Sequence, residues 1–244
     1  MKLGNGAADE QNEKIYPFIV EGKNDRTEIH SMLRAYCSDS LQNRYHDLYY
    51  CHSGDITVDE TEKTIVKKLN EIVISWRKGK IYPFHPFSIK DVAKVVHVID
   101  TDGVFIPESA IIEDDVGKVE YYDKTIKCGN RSVVVGRNRK KAKALRKLLT
   151  VKTIDNIPYE LFFASCNMDH VLFGTANMAP ELKGPSAREF ADICKNPEDL
   201  DQSVFNSNIR SDRSLVASWD YVQLGYNSLK RHTNLNILLD DLSK

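Results

Sequence analysis

From Ile15 the chain runs Ile-Tyr-Pro-Phe-Ile-Val and then breaks at Glu21-Gly22. A short apolar run that ends in a turn signal predicts a buried strand. Ile29, Met32, Leu33 and Tyr36 follow at i, i+3, i+4 and i+7, the stripe of an amphipathic helix. Asp47 to His52 is the next strand candidate. The clearest helical pattern spans Asp59 to Trp76, with Ile65, Val66, Leu69, Ile72, Val73 and Trp76 on one face. A Pro- and Phe-containing loop occupies Tyr82 to Phe87. The β-branched run from Ala93 to Ile99 then closes on Asp100.

Strand–helix–strand–helix–strand order predicts parallel strands joined by helical crossovers. Further along, Glu120-Tyr121-Tyr122 and Ser132 to Val135 read as a hairpin about Cys128-Gly129-Asn130, inserted at 104–136. Gly136 to Thr150 reads as a basic helix and Ile157 to Cys166 as a fourth strand. Pro180 to Ser186 reads as a loop or boundary. Beyond it Leu215, Trp219, Val222, Tyr226 and Leu229 keep helical spacing. The expected fold is α/β, a central and mainly parallel sheet flanked by helices. Residues 1–13 read as a flexible leader, 14–182 as the main domain and 183–244 as a helical C-terminal extension.

Composition narrows the classes. Of 244 residues 41% are hydrophobic and 28% charged, ordinary for a globular protein, and the net charge is −1. A nucleic-acid surface is therefore a patch and not the whole molecule. No apolar stretch approaches the roughly eighteen residues a membrane-spanning helix needs, and no apolar signal region begins the chain. A cytoplasmic protein is expected. Five scattered cysteines without a C-x-x-C pair read as free thiols, against a disulfide framework or a cysteine-rich zinc site. The histidines have no zinc spacing, and no P-loop or G-x-S-x-G elbow occurs.

Two acidic motifs carry the chemistry. In Val20-Glu21-Gly22-Lys23-Asn24-Asp25 the glycine permits a tight turn straight off the first strand. Asp25 then falls at the start of the helix, where it caps the helix or points into the crevice. In Ile99-Asp100-Thr101-Asp102-Gly103 the two aspartates, if the segment is extended, lie on one side. Each motif alone is a common turn. In parallel sheets, however, ligands bind outside the carboxyl ends of strands, and both motifs sit there. Magnesium takes hard oxygen ligands, so Glu21, Asp25, Asp100 and Asp102 are the candidate metal ligands, with Glu21 and Asp100 the catalytic candidates.

Together these residues resemble the TOPRIM domain of topoisomerases, bacterial primases and the overcoming-lysogenization-defect nucleases. The resemblance covers about Lys14 to Asn167 and is nearest to those nucleases and to stand-alone TOPRIM proteins of bacterial defence. It implies acid–base or metal-binding chemistry at Glu21 and metal held by Asp100 and Asp102, with Asp25 joining in the nuclease branch. Val104 stands where topoisomerases carry a third aspartate, which weighs against strand passage. Nuclease relatives add an acid near the end of the fourth strand. Asp169 is that candidate, beside Asn167 and His170, and its equal alternative is a helix cap; Glu160 is the rival.

The implied activity is metal-dependent hydrolysis of DNA or RNA with Mg2+ or Mn2+, two ions clamping the scissile phosphate. An antiphage role and a separate ATPase partner come with the resemblance alone. Competing classes are a catalytically silent binding subunit and a primase-like nucleotidyl transferase. Arg137, Arg139, Lys140, Lys141, Lys143, Arg146 and Lys147 crowd one helix without an acid between them, and read as the phosphate-binding surface or else a solvated face.

Overall fold

The structure is a computed structural model and describes residues 15–36, 49–51, 56–59, 62, 64–79, 88–206 and 208–242. The expected leader and the Tyr82–Phe87 loop lie outside the described residues. Strand β1 is Phe18–Val20, followed by helix α1 at Lys23–Tyr36, β2 at Tyr49–Cys51, α2 at Ile56–Asp59 and α3 at Ile65–Arg77. Next come β3 at Val95–Asp100, β4 at Ile111–Glu113, β5 at Glu120–Tyr121 and β6 at Ile126–Cys128. The chain continues with α4 at Arg131–Leu149, β7 at Thr153–Ile154, β8 at Ile157–Ala164 and α5 at Met168–Phe173. It ends with α6 at Pro180–Ile193, α7 at Pro197–Ser203, α8 at Leu215–Val222 and α9 at Leu235–Leu242.

Among the described residues the main sheet has the order β2-β1-β3-β8-β7, parallel except for β7. Its central strands are apolar because both faces are covered. Phe18, Val20, Val96, Val98, Phe162 and Ala164 meet α1, α5, α6 and α9 on one side. Ile19, Val95, Ile99, Leu161 and Phe163 meet α3, α4 and α8 on the other. Side chains alternate across a strand, so each strand feeds both cores. The fold is α/β, a mostly parallel sheet between two helical layers, and no described helix is long and apolar enough to cross a membrane.

A second sheet of order β4-β6-β5 packs over the start of α4, burying Ile111, Ile126, Val134 and Val135 together. Here the expected hairpin is corrected. Glu120-Tyr121 pairs with Ile126 and Lys127, while Ser132 to Val135 begins α4. Asn130 accepts a hydrogen bond from Val133 N at 3.1 Å, so its side chain caps that helix. A β-branched Val-Val-Val run imitates a strand, but the cap and the packing of Val134 and Val135 decide for helix.

Pro180 to Ser186 is also corrected from loop to helix. Pro180 occupies the first turn, where its missing N–H costs nothing, and Pro185 removes one hydrogen bond near the helix start. Ala187 and Phe190 bury the face that holds α6 in place. The helical spacing of Leu215 to Leu229 is carried by α8, which ends at Val222, and by a separate 3-10 turn at Asn227–Leu229. Of the pattern over Asp59 to Trp76, the apolar face from Ile65 to Trp76 forms α3, and Asp59 ends α2. In the C-terminal helical segment, Phe190, Leu235, Leu238 and Leu239 belong to the core on β1 and β3.

Candidate functional site

Adjacent parallel strands put their carboxyl ends side by side. Phe18 pairs with Val96 and Ile19 with His97, so Glu21 leaves β1 beside the end of β3, where Asp100 lies. Asp100 in turn pairs with Ala164 of β8. The three strand ends make one half-buried crevice.

At its first wall, Asp25 is the third residue of α1, and its Oδ2 accepts from Gly22 N at 2.8 Å. A third-position acid reaching back over the helix start is a capping device. It is also a charge aimed at Asp100. Cap and crevice, alternatives in the bare sequence, coincide. A Cβ on Gly22 would stand 3.1 Å from Asp25 Oδ1, so glycine leaves room for the carboxylate to fold back.

The second wall is the Asp100–Gly103 turn. Asp102 has φ +49° and Gly103 φ +65°, so the segment is a left-handed turn, which corrects the extended geometry expected for it. A Cβ on Gly103 would lie 2.5 Å from Leu229 Cδ2, which requires glycine there. Thr101 Oγ1 donates to Ser228 O at 2.8 Å and accepts from Cys166 N at 2.9 Å. Asp102 N donates to Cys166 O at 2.8 Å. A backbone held in a sparsely populated region persists when its surroundings over-determine it, as these bonds do.

Glu21, Asp25, Asp100 and Asp102 therefore come together. Burial first, then Asp25, Glu21 and Asp102, push the Asp100 carboxyl well above its ordinary range, opposed by Lys141. Burial also raises Asp25, against the Gly22 N–H. For Asp102 burial is outweighed by Lys141 and Arg137, and its pKa is lowered.

Lys141 departs most from its expected role. Its side chain is wholly buried, 2.6 Å from Asp102 Oδ2 and 3.3 Å from Glu21 Oε1. It does not lie on the outer side of α4, where it was expected to meet phosphate. Arg137 is half-buried too, reaching the Asp102 carbonyl at 3.4 Å and the Tyr121 hydroxyl at 3.3 Å. Tyr121 donates to Asp102 Oδ1 at 3.2 Å, so the small sheet supplies one side of the crevice. Arg139 pairs with Glu108, and Arg146 lies over Phe105 and reaches Gln223. Lys140, Lys143 and Lys147 stay exposed. A groove of about 230 Å3 between residues 104–111 and α4 is lined by Arg139, Lys143 and Arg146.

Asp169 is buried in the first turn of α5 and lies 2.5 Å from Lys183 Nζ of α6. The cap of α5 is instead Asn167, which accepts from His170 N at 2.9 Å. Met168 N, at the same helix start, donates to Asp100 Oδ1 at 2.9 Å. His170 is half-buried and held low by burial and Arg231. Glu160 is removed from the crevice, paired with Lys94 at 2.8 Å and aligned with Val96.

The patterns missed three residues: Glu28, Lys183 and Tyr121. Glu28 is wholly buried on α1, and neither of its oxygens has a hydrogen-bond partner among the described residues. Burial, then Asp25 and Asp169, push it up to about 9 against the pull of Lys183. Its spacing of three from Asp25 was the available signal, since such residues share a helix face.

Among the described residues no three His, Cys, Asp or Glu side chains stand as ligands around one point. Lys141 and Lys183 lie among the carboxylates instead. The donor chemistry still fits a hard divalent cation. Its groups are carboxylate oxygens in excess of the local cations, with Asp100 and Glu28 both disfavoured as bare anions. Fold and crevice thus define an α/β protein with an acidic centre at the carboxyl edge of its sheet. Comparison with family models, curated proteins and solved structures returned no match.

Proposed function

We propose that this chain is a divalent-metal-dependent phosphodiester hydrolase acting on DNA or RNA. One observation carries the reading: two motifs about eighty residues apart in sequence meet at neighbouring strand ends, in a crevice whose carboxylates repel one another. Glu21, Asp100 and Asp102 would hold Mg2+ or Mn2+, flanked by Asp25 and Asp169. When bound, the ion supplies positive charge at the scissile phosphate and lowers the pKa of water.

The chain's own residues have distinct tasks. Lys141 neutralises Glu21 and Asp102 and keeps them apart from direct repulsion. Tyr121 and Arg137 fix the orientation of Asp102. Glu21, near solvent with its side chain 12% exposed, is the proton acceptor for attacking water. Lys140, Lys143 and Lys147 draw the nucleic-acid backbone by displacing its counterions. The resemblance to TOPRIM nucleases supports the same assignment and adds an antiphage setting with a separate ATPase subunit.

A silent binding subunit is the competing reading, favoured by the two lysines that already neutralise part of the cluster. Purified protein incubated with single- and double-stranded DNA and RNA, with Mg2+ or Mn2+ and with EDTA, separates the two. The expected result is metal-dependent cleavage lost in Glu21→Ala. Cleavage that persists in that variant, or none on any substrate, rejects the hydrolase.

A further inference from the structure

The groove between residues 104–111 and α4 has a build that phosphate attraction does not explain. Its floor is apolar, with Ile106, Val135 and Ala142 all buried. Phe105 lines it half-buried, and the Arg146 guanidinium carbon stands 5.6 Å from the centre of that ring. Arg139, Lys143 and Glu108 bring two cations and a carboxylate to the same groove, Arg139 and Glu108 as a pair. A carboxylate beside an apolar floor repels a bare phosphate. It suits a flat group that carries N–H donors of its own.

A second observation points to an occupant. Asn138 lines the groove, is 5% exposed, and its amide nitrogen has no hydrogen-bond partner among the described residues. Its Oδ1 is taken, accepting from Arg137 Nε at 3.1 Å and Nη2 at 2.9 Å. The amide is thereby oriented with its N–H donors unspent, which costs free energy in a folded chain. Arg137 Nη2 also reaches the Asp102 carbonyl at 3.4 Å, and Val104 follows Asp102 by two residues, so groove and crevice adjoin.

We propose that this groove receives one unpaired nucleobase of a single-stranded substrate, beside the crevice that cuts its backbone. The Phe105 ring and the Arg146 guanidinium form a stacking platform. Asn138 donates to a base carbonyl or ring nitrogen, Glu108 accepts from an exocyclic amine, and Lys143 meets the flanking phosphate. The volume, about 230 Å3, falls below the roughly 300 Å3 at which pockets for drug-sized ligands begin, and suits a single base. A duplex keeps its bases stacked and paired, and fills the groove only by extruding one at a cost. The assignment rests on the hydrolase reading and names its substrate class, a strand with free bases.

The full chain in EDTA is titrated, by fluorescence anisotropy, with short DNA and RNA single strands, their duplexes, and a strand of abasic sugars. Base-bearing single strands should bind about tenfold tighter than either duplexes or the abasic strand. Phe105→Leu keeps the apolar bulk and removes the ring, and should cost single strands about tenfold while sparing duplexes. Arg146→Lys keeps the charge and removes the plane at an exposed position, and decides the matter if Phe105→Leu does not fold. Equal affinity for base-bearing and abasic strands, equal affinity for single strands and duplexes, no binding, or no loss in either variant overturns the base site. Cleavage of the same strands with Mg2+ is scored separately. Base-dependent binding without cleavage upholds the base site and rejects the hydrolase. Base-blind binding with cleavage lost in Glu21→Ala keeps the hydrolase and removes the base site.

Discussion

Lys141 Nζ lies 2.6 Å from Asp102 Oδ2 with no solvent access to the lysine side chain. A buried ammonium survives only with close carboxylate partners, and Glu21 is another, at 3.3 Å. Lys141→Met should therefore destabilise the metal-free protein by about 3–5 kcal/mol, the cost of stranding one side of a buried pair. Added Mg2+ should restore much of the loss. Melting with and without the ion measures both effects, and equal melting of variant and wild type in EDTA would falsify the assignment.

Catalysis should depend on the opposing carboxylates. Asp100→Asn and Asp102→Asn are each expected to lower single-turnover cleavage by about 10²-fold or more, with the fold retained by circular dichroism. Wild-type rates in either variant would remove that residue from the centre.

Gly103 answers to shape and not to charge. Gly103→Ala places a Cβ 2.5 Å from Leu229 Cδ2 at φ +65°, combining backbone strain with overpacking. A loss of about 2 kcal/mol or more is expected in urea unfolding. A variant as stable as wild type would mean the turn can open without harm.

The exposed lysines of α4 should act on binding alone. Replacing Lys140, Lys143 and Lys147 together by Ala is expected to weaken nucleic-acid binding across sequences. For every phosphate no longer neutralised, the slope of log K against log salt should fall by about 0.9 on duplex DNA. Thermal stability should barely move, because these side chains face solvent. An unaltered salt slope places the nucleic acid on another surface.

Stability against pH reports Glu28. Its carboxyl is raised from 4.5 to about 9 in the folded chain, so the native state holds a proton that the unfolded state has released. Between those two values stability falls as pH rises, and below the lower one the contribution is at its most favourable. Metal-free wild type should lose melting temperature from pH 5 to 9, with Asp25 and Asp100 acting in the same direction. Glu28→Gln should flatten that decline; an identical profile removes Glu28 as its source.

What could be read from the chain was local. The break at Glu21-Gly22, the β-branched run into Asp100 and the stripe of α1 are each written in a few consecutive residues, because strand and helix periods are short-range. Alternation of strands and helices then implied parallel pairing, and so the meeting of Glu21 with Asp100. Two misreadings were local as well. Val133-Val134-Val135 has strand composition inside a helix, and Pro185 looks like a breaker one turn past a helix start.

Only the tertiary structure decided which charges face inward. The seven basic residues from Arg137 to Lys147 look alike in sequence, yet the packing of Ala142, Leu145 and Leu148 on the sheet turns Lys141 into the crevice and leaves Lys140 and Lys143 outside. Glu28 is buried where α6 packs on α1, and Lys183 comes to the neighbouring Asp169 from a segment whose prolines suggested a loop. Periodicity fixes the face of an element; the environment that face meets is set by partners distant in the chain, and that environment fixes which carboxylates carry charge.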